Sequence, residues 1–180
     1  MPKPSARDRI LDAYVKFLID HGPAAVTLEA VAAEAGVSKG GLLYHFGSKD
    51  ALLDGLLDRV DELTTRDLEE ARNAPEGLIR FYLRTSATDA SMDNPLHRAT
   101  LATFRLMGHD PKVLTASKRY EARWREALAE HVDDPLTADL IAVVGDGLYL
   151  RGTLGEDSTA LLSSLDEVLD RLGAGQRTHP

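Results

Sequence analysis

Apolar positions recur every three to four residues along nearly the whole chain, and strict two-residue alternation is almost absent. That spacing marks helices that bury one face, so the chain is predicted to be all α-helical. Residues 6–21 place Ile10, Leu11, Tyr14, Phe17 and Leu18 on one stripe, and Gly22-Pro23 stops it. Ser5 stands where an N-cap belongs, with Asp8 three residues on in a box-like arrangement.

The next pattern is shorter. Thr27 can cap a helix whose inner face is Leu28, Val31, Ala32 and Ala35. Gly36 follows, where a positive φ costs little, and Val37 plugs the gap behind it. Ser38 caps a third short helix ending near Phe46-Gly47. Ala32 supplies the small side chain that two steeply crossing helices need. Two short helices broken by one glycine spell a helix-turn-helix.

Ser48 opens a fourth helix, with Asp50 favouring its dipole. Its pattern runs to Asn73, about 39 Å if unbroken, before Ala74-Pro75. Helical segments then follow at 75–90, 95–107, 111–132, 135–154 and 158–172. Pro75, Pro95, Pro111 and Pro135 each stand just inside a predicted start, where the missing N–H does no harm. The tail from Gly173 to Pro180 is expected to fray. The reading divides the chain into a three-helix head, 1–47, and a larger helical body, 48–180.

Charge changes the picture by where it sits. The net charge is −8, at first sight unfavourable for nucleic acid. Residues 1–50, however, balance Lys3, Arg7, Arg9, Lys16, Lys39 and Lys49 against Asp8, Asp12, Asp20, Glu29, Glu34 and Asp50. The deficit lies wholly beyond them, and a DNA-binding face needs only a local basic footprint. No cysteine is present, which excludes disulfides and thiolate metal sites. The most apolar stretch, 140–150, is interrupted by Asp146 and too short to span a bilayer. Nothing in residues 1–20 resembles a signal peptide. A soluble cytoplasmic protein with no membrane association is expected.

The run Thr27-Leu-Glu-Ala-Val-Ala-Ala-Glu-Ala-Gly-Val-Ser-Lys-Gly, followed by Leu42, Tyr44-His45-Phe46, Ser48-Lys49 and Leu52, resembles the tetracycline-repressor (TetR) family of bacterial transcription regulators. The agreement includes the Ile10/Phe17 stripe and Gly22, and the line from Asp146 to Gly155 looks like the dimer-side helix of family members. The resemblance implies an all-α subunit of about nine helices: a three-helix DNA-binding head plus a helical-bundle ligand and dimer domain. It implies a homodimer on palindromic double-stranded operator DNA, a repressor released when a small-molecule effector binds. Gly41 and Leu43 depart from the family's usual Thr or Ser and aromatic, so operator sequence does not transfer.

Base edges are read from the start of a recognition helix, which singles out Lys39, Gly40, Gly41 and Leu43. Lys39 donates to guanine or holds a phosphate, and Leu43 suits thymine methyls. Tyr44 and His45 match family positions that contact the backbone, while Thr27, Ser38 and Lys49 add phosphate contacts at helix starts. The competing readings make Tyr44 a half-buried packing residue and His45 a helix cap. Leu42 and Phe46 belong to the core. Two glycines in one recognition helix cost about 1 kcal/mol each in propensity, so that helix either firms up on DNA or lets the backbone approach the groove closely.

Candidate effector contacts are Tyr82, Phe104, Arg105, Met107, His109, Trp124, Asp146 and Tyr149, each weighed against a plain core role. His109-Asp110 beside Gly108 reads as loop and cap, so no metal and no cofactor is expected. Gly145, Gly147 and Gly152 read as close helix approach at a dimer seam, joined by the stripe Leu161, Leu162, Leu165, Val168, Leu169 and Leu172. No nucleophile elbow, zinc-protease pair or phosphate loop is present, so no enzyme activity is expected. The alternative is a helical-bundle carrier or enzyme for a small molecule, with no DNA role.

Overall fold

A computed structural model of the chain describes residues 5–174. Among them are ten α-helices, one 3-10 turn at Pro23–Ala25 and no strand. The helices are α1 (Ala6–His21), α2 (Leu28–Glu34), α3 (Lys39–His45), α4 (Lys49–Arg72) and α5 (Leu78–Thr88). They continue as α6 (Pro95–Leu106), α7 (Pro111–Ala129), α8 (Pro135–Thr153), α9 (Thr159–Ser163) and α10 (Leu165–Arg171). The last predicted segment is therefore two helices: Ser164 leaves helical geometry at ψ 26°, and its N–H closes a tight turn onto the Leu161 carbonyl. Pro75 does not open α5. Gly77, at φ 86°, turns the chain first and donates its N–H to the Ala74 carbonyl.

The chain forms two compact units, 1–64 with 95–117, and 65–94 with 118–180. The expected division at 47/48 does not match them, because packing rather than chain order sets a unit. Leu52, Leu53, Leu56 and Val60 of α4 are buried in the first unit, and α6 packs along α1 there.

In the first unit local signals set each helix end. Ser5 Oγ accepts from the Asp8 N–H at 3.1 Å, and the Asp8 carboxylate accepts from the Ser5 N–H, closing the box. Thr27 and Ser38 cap α2 and α3, accepting from the Ala30 and Gly41 N–H groups at 3.0 Å each. Gly36, at φ 64°, closes α2: its N–H reaches the Ala33 carbonyl and the Val37 N–H reaches the Ala32 carbonyl. Ile10, Leu11, Leu18, Val31 and Leu42 are fully buried. Phe46 seats against α4 where Gly55 leaves room, since a β-carbon there would lie 2.7 Å from its ring.

Carboxylates lock this unit. Arg59 pairs with Asp8 and Asp12, Lys16 with Glu34 at 2.8 Å, and Lys112 with Asp50 and Asp54 at 2.9 and 3.0 Å. Arg105 donates to the Ile19 carbonyl at 3.1 Å, tying α6 to the end of α1.

The second unit buries Leu68, Leu78, Leu83, Leu128, Ile141 and Leu148 between α4, α5, α7 and α8. Its closest approach is α5 on α8. A β-carbon on Gly145 would lie 2.3 Å from the Tyr82 ring, and one on Gly152 would lie 2.9 Å from Ala90 Cβ. These two glycines therefore serve packing within the chain rather than a seam between chains. Gly147 alone of the three faces open space. Of the C-terminal stripe, Leu161, Leu165, Leu169 and Leu172 pack on this unit's own core.

Candidate nucleic-acid interface

The short helix α3 divides its side chains sharply. Leu42 is fully buried, and Phe46, just past the helix end, is 3% exposed. Lys39, Gly40, Leu43, Tyr44 and His45 face solvent, with Tyr44 86% exposed. A packing role for Tyr44 is thereby removed. Its ring meets the His45 ring edge-on, with centroids 5.1 Å apart. An apolar Leu43 beside a phenol, an imidazole and an ammonium group is a surface that has no folding reason to be outside.

The glycines of α3 differ. Both lie inside regular helix. Gly40 has open space around its α-carbon, with Ser38 Oγ no closer than 4.0 Å to a β-carbon placed there. At Gly41 the same oxygen would stand 3.3 Å away, so this glycine makes room for the Ser38 cap. Thr27 and Ser38 spend their oxygens as acceptors in the caps, which leaves each hydroxyl hydrogen available to an anion. Lys49 opens α4, where the Ser48 hydroxyl accepts from the Ala51 N–H at 3.0 Å.

One residue that the sequence pattern did not single out enters this surface. Glu29, in the first turn of α2, holds Lys39 Nζ at 2.6 Å. Its carboxyl sits below the usual range, first through the Lys39 hydrogen bond, then its own backbone N–H, with the Lys39 and Lys49 charges adding. The pairing was invisible in sequence because the turn at Gly36 decides which α2 residue meets α3. Arg7 stands over the Phe46 ring, 5.2 Å from its centre. Lys3 lies outside the described residues.

The model for bacterial regulatory proteins of the tetR family matches residues 10–56, and that for the tetracyclin repressor-like C-terminal domain matches residues 76–174. The chain belongs to the TetR family. The match of both models makes it a ligand-responsive DNA-binding transcriptional regulator rather than an enzyme, and the carrier alternative is not favoured. The HTH-type transcriptional regulator BetI of Burkholderia mallei is 28% identical, over 96% of this chain and 97% of its own. Among solved structures, the multidrug binding protein EbrR complexed with malachite green is 26% identical, with a TM-score of 0.73 over 94% of this chain and 98% of its own. A TetR-family member of Streptomyces coelicolor A3, SCO1917, is 26% identical with a TM-score of 0.71 over 94% and 98%.

The candidate effector contacts of this TetR-family chain fall into both units. Tyr82, Trp124, Asp146 and Tyr149 belong to the second. The Tyr82 and Trp124 rings are 4.9 Å apart, and the Tyr82 hydroxyl donates to the Ala142 carbonyl at 3.3 Å. Phe104, Arg105, Met107 and His109 belong to the first unit, all exposed. Beside His109, the Asp110 carboxylate accepts from the Lys112 N–H at 2.8 Å, capping α7.

The second unit also holds carboxyls pushed upward. Asp67 is raised to about 6 by desolvation, with the Asp89 and Glu70 charges adding. Asp146 is raised by desolvation and by Glu121, with Arg125 opposing. Burial and the Asp146 charge push the Tyr82 hydroxyl up as well. Asp67 had a readable signal: it falls on the stripe Val60, Thr64, Leu68, Ala71, where a charge is out of place. Among the described residues, no helix is long and apolar enough to cross a membrane.

Proposed function

We propose that the protein acts in the cytoplasm as a homodimeric repressor on palindromic DNA, released by a small molecule. The carrying observation is the outward face of α3, where Lys39, Leu43, Tyr44 and His45 stand exposed on a capped helix whose opposite side is buried. Lys39, Gly40, Gly41 and Leu43 meet base edges; Thr27, Ser38, Tyr44, His45 and Lys49 meet phosphates.

A second copy is supported by α8. Leu136, Leu140, Val143 and Leu150 on that helix and Leu154 just past its end are 43–67% exposed, and with Gly147 they follow alternating four- and three-residue steps. That is the spacing of a helix seam, and the open space at Gly147 admits a close neighbour. Two such subunits present their recognition helices about 34–36 Å apart to successive major grooves.

The effector contacts are Tyr82, Trp124, Asp146 and Tyr149 of the second unit. A tilted aromatic pair, Tyr82 on Trp124, with the desolvated Asp146 carboxyl acting on Tyr82 favours an aromatic molecule carrying positive charge. Release follows if that molecule binds better to a form of the dimer with a different head spacing.

The test is fluorescence anisotropy with a DNA fragment from upstream of the gene, with malachite green as the effector probe. Lys39→Ala with Tyr44→Ala is expected to weaken DNA binding at least about 30-fold while leaving dye affinity within twofold. A double variant that binds DNA as the wild type does overturns the reading.

A further inference from the structure

The exposed basic surface of the head contains its own anion. Glu29 sits 2.6 Å from Lys39 Nζ, and both side chains are well over half exposed, 62% and 57%. Burial therefore does not force them together, and neither is needed to fill the core. Lys49 adds its field to the same carboxylate. One acid thus holds a lysine on the surface assigned above to DNA. We propose that Glu29 is a specificity-determining residue: where no base edge suits Lys39, its carboxylate occupies the place that a phosphate of indiscriminate duplex would take on that lysine.

The argument runs on what each partner can offer Lys39. Any duplex offers phosphates, one negative charge per about 1.7 Å of axis. A carboxylate already in place at hydrogen-bond distance cancels the first lysine contact that a random sequence would gain. A sequence that also satisfies Leu43, Tyr44 and His45 gains contacts that Glu29 does not oppose. On the operator Lys39 turns to a base edge, as assigned above, so the acid opposes a phosphate contact that only random duplex relies on, which widens the ratio between them. The other head acids differ in their partners: Asp8 and Asp12 hold Arg59, Glu34 holds Lys16, and Asp50 and Asp54 hold Lys112, cations outside α3.

This inference rests on the DNA-binding reading, and the experiment separates the two. Glu29→Gln keeps the shape and removes the charge. Binding to the upstream fragment and to a random duplex of equal length is measured across a salt series. The expected result is a 3- to 10-fold gain on random DNA, a smaller gain on the upstream fragment, and a log–log salt slope steeper by up to about 0.9, one phosphate's worth. In a Lys39→Ala background the gain on random DNA is expected to fall below twofold. Unchanged or weaker random binding by a Glu29→Gln protein that melts like the wild type overturns the assignment, as does a gain that persists without Lys39. A gain equal on both duplexes also overturns it. Wild-type protein that holds neither duplex removes the DNA reading itself, and Glu29's role with it.

Discussion

The two compact units treat negative charge differently: among the described residues, acids pushed upward fall in the second. In the first, each acid that shifts is held down by a donor: Asp8 by Ser5 and Arg59, Glu29 by Lys39. In the second, Glu76 and Asp157 are held down likewise, by Arg84 and Thr159, but Asp67 and Asp146 are pushed up by desolvation and by neighbouring acids. The first arrangement fixes geometry, since paired charges are satisfied only in one pose. In the second unit the upward-shifted pair holds charge at a cost, and Asp146 acts on the Tyr82 ring that the proposed effector would meet. A DNA head gains from rigidity, whereas a sensing body gains from an unmet need.

The largest test of this contrast is the seam assigned to α8. Val143→Glu with Leu150→Glu puts two charges on the exposed stripe and none in either core. Sedimentation is expected to show a monomer, with operator affinity down by about 100-fold or more as the second head is lost. An intact dimer would move the interface elsewhere.

Packing within the second unit gives the next effect. Gly145→Ala forces a methyl group into the Tyr82 ring and is expected to cost about 2 kcal/mol in thermal or urea unfolding. Gly147→Ala, two residues along the same helix with open space around it, is expected to keep or slightly raise stability. Equal losses from both would erase the distinction between inner and outer glycines.

The charge contrast has its own probe in Asp67. Its native value of about 6 lies above the ordinary 3.8, so the folded chain keeps a proton that the unfolded chain has released. Stability attributable to this group therefore falls as pH rises from about 4 to 6 and stays low above. Asp67→Asn removes that penalty. Allowing for the residue's partial exposure, a gain of about 1–2 kcal/mol is expected at about pH 7.5, vanishing near pH 4. A gain independent of pH would mean that packing, not charge, is responsible.

Ser38→Ala is the smallest change. It removes the oxygen that caps α3 and is expected to cost about 1 kcal/mol. Because the helix also carries the DNA face, operator affinity is expected to drop by a further few-fold. A loss of stability with unchanged affinity would separate the cap from the interface.

The head was legible in sequence because its instructions are local. Ser5 with Asp8, Thr27, Gly36 and Ser38 each act within a few residues, and all sit where the pattern placed them. The outward placing of Lys39, Leu43, Tyr44 and His45 follows from helical spacing against Leu42 and Phe46. What escaped were facts about neighbours distant in the chain. A glycine announces that something comes close, not what; Gly145 and Gly152 turned out to face Tyr82, Ala87 and Ala90 of their own chain. Glu29 meets Lys39 across a turn, and Asp67 reads as surface charge until the buried stripe around it is counted. Pro75 fits a helix start in isolation, but Gly77 two residues later adopts a backbone that no right-handed helix contains.

The unit that includes the DNA face is assembled from two separate stretches, 1–64 and 95–117. Of its three boundaries with the other unit, those at 64/65 and 117/118 fall inside α4 and α7 and only that at 94/95 falls between helices. Transplanting this head onto a foreign sensor at a single crossover would leave α6 behind, and with it the Arg105 tether to Ile19. A working chimera needs a third crossover, at 94/95, besides those two, and splices at 64/65 and 117/118 must keep helical phase.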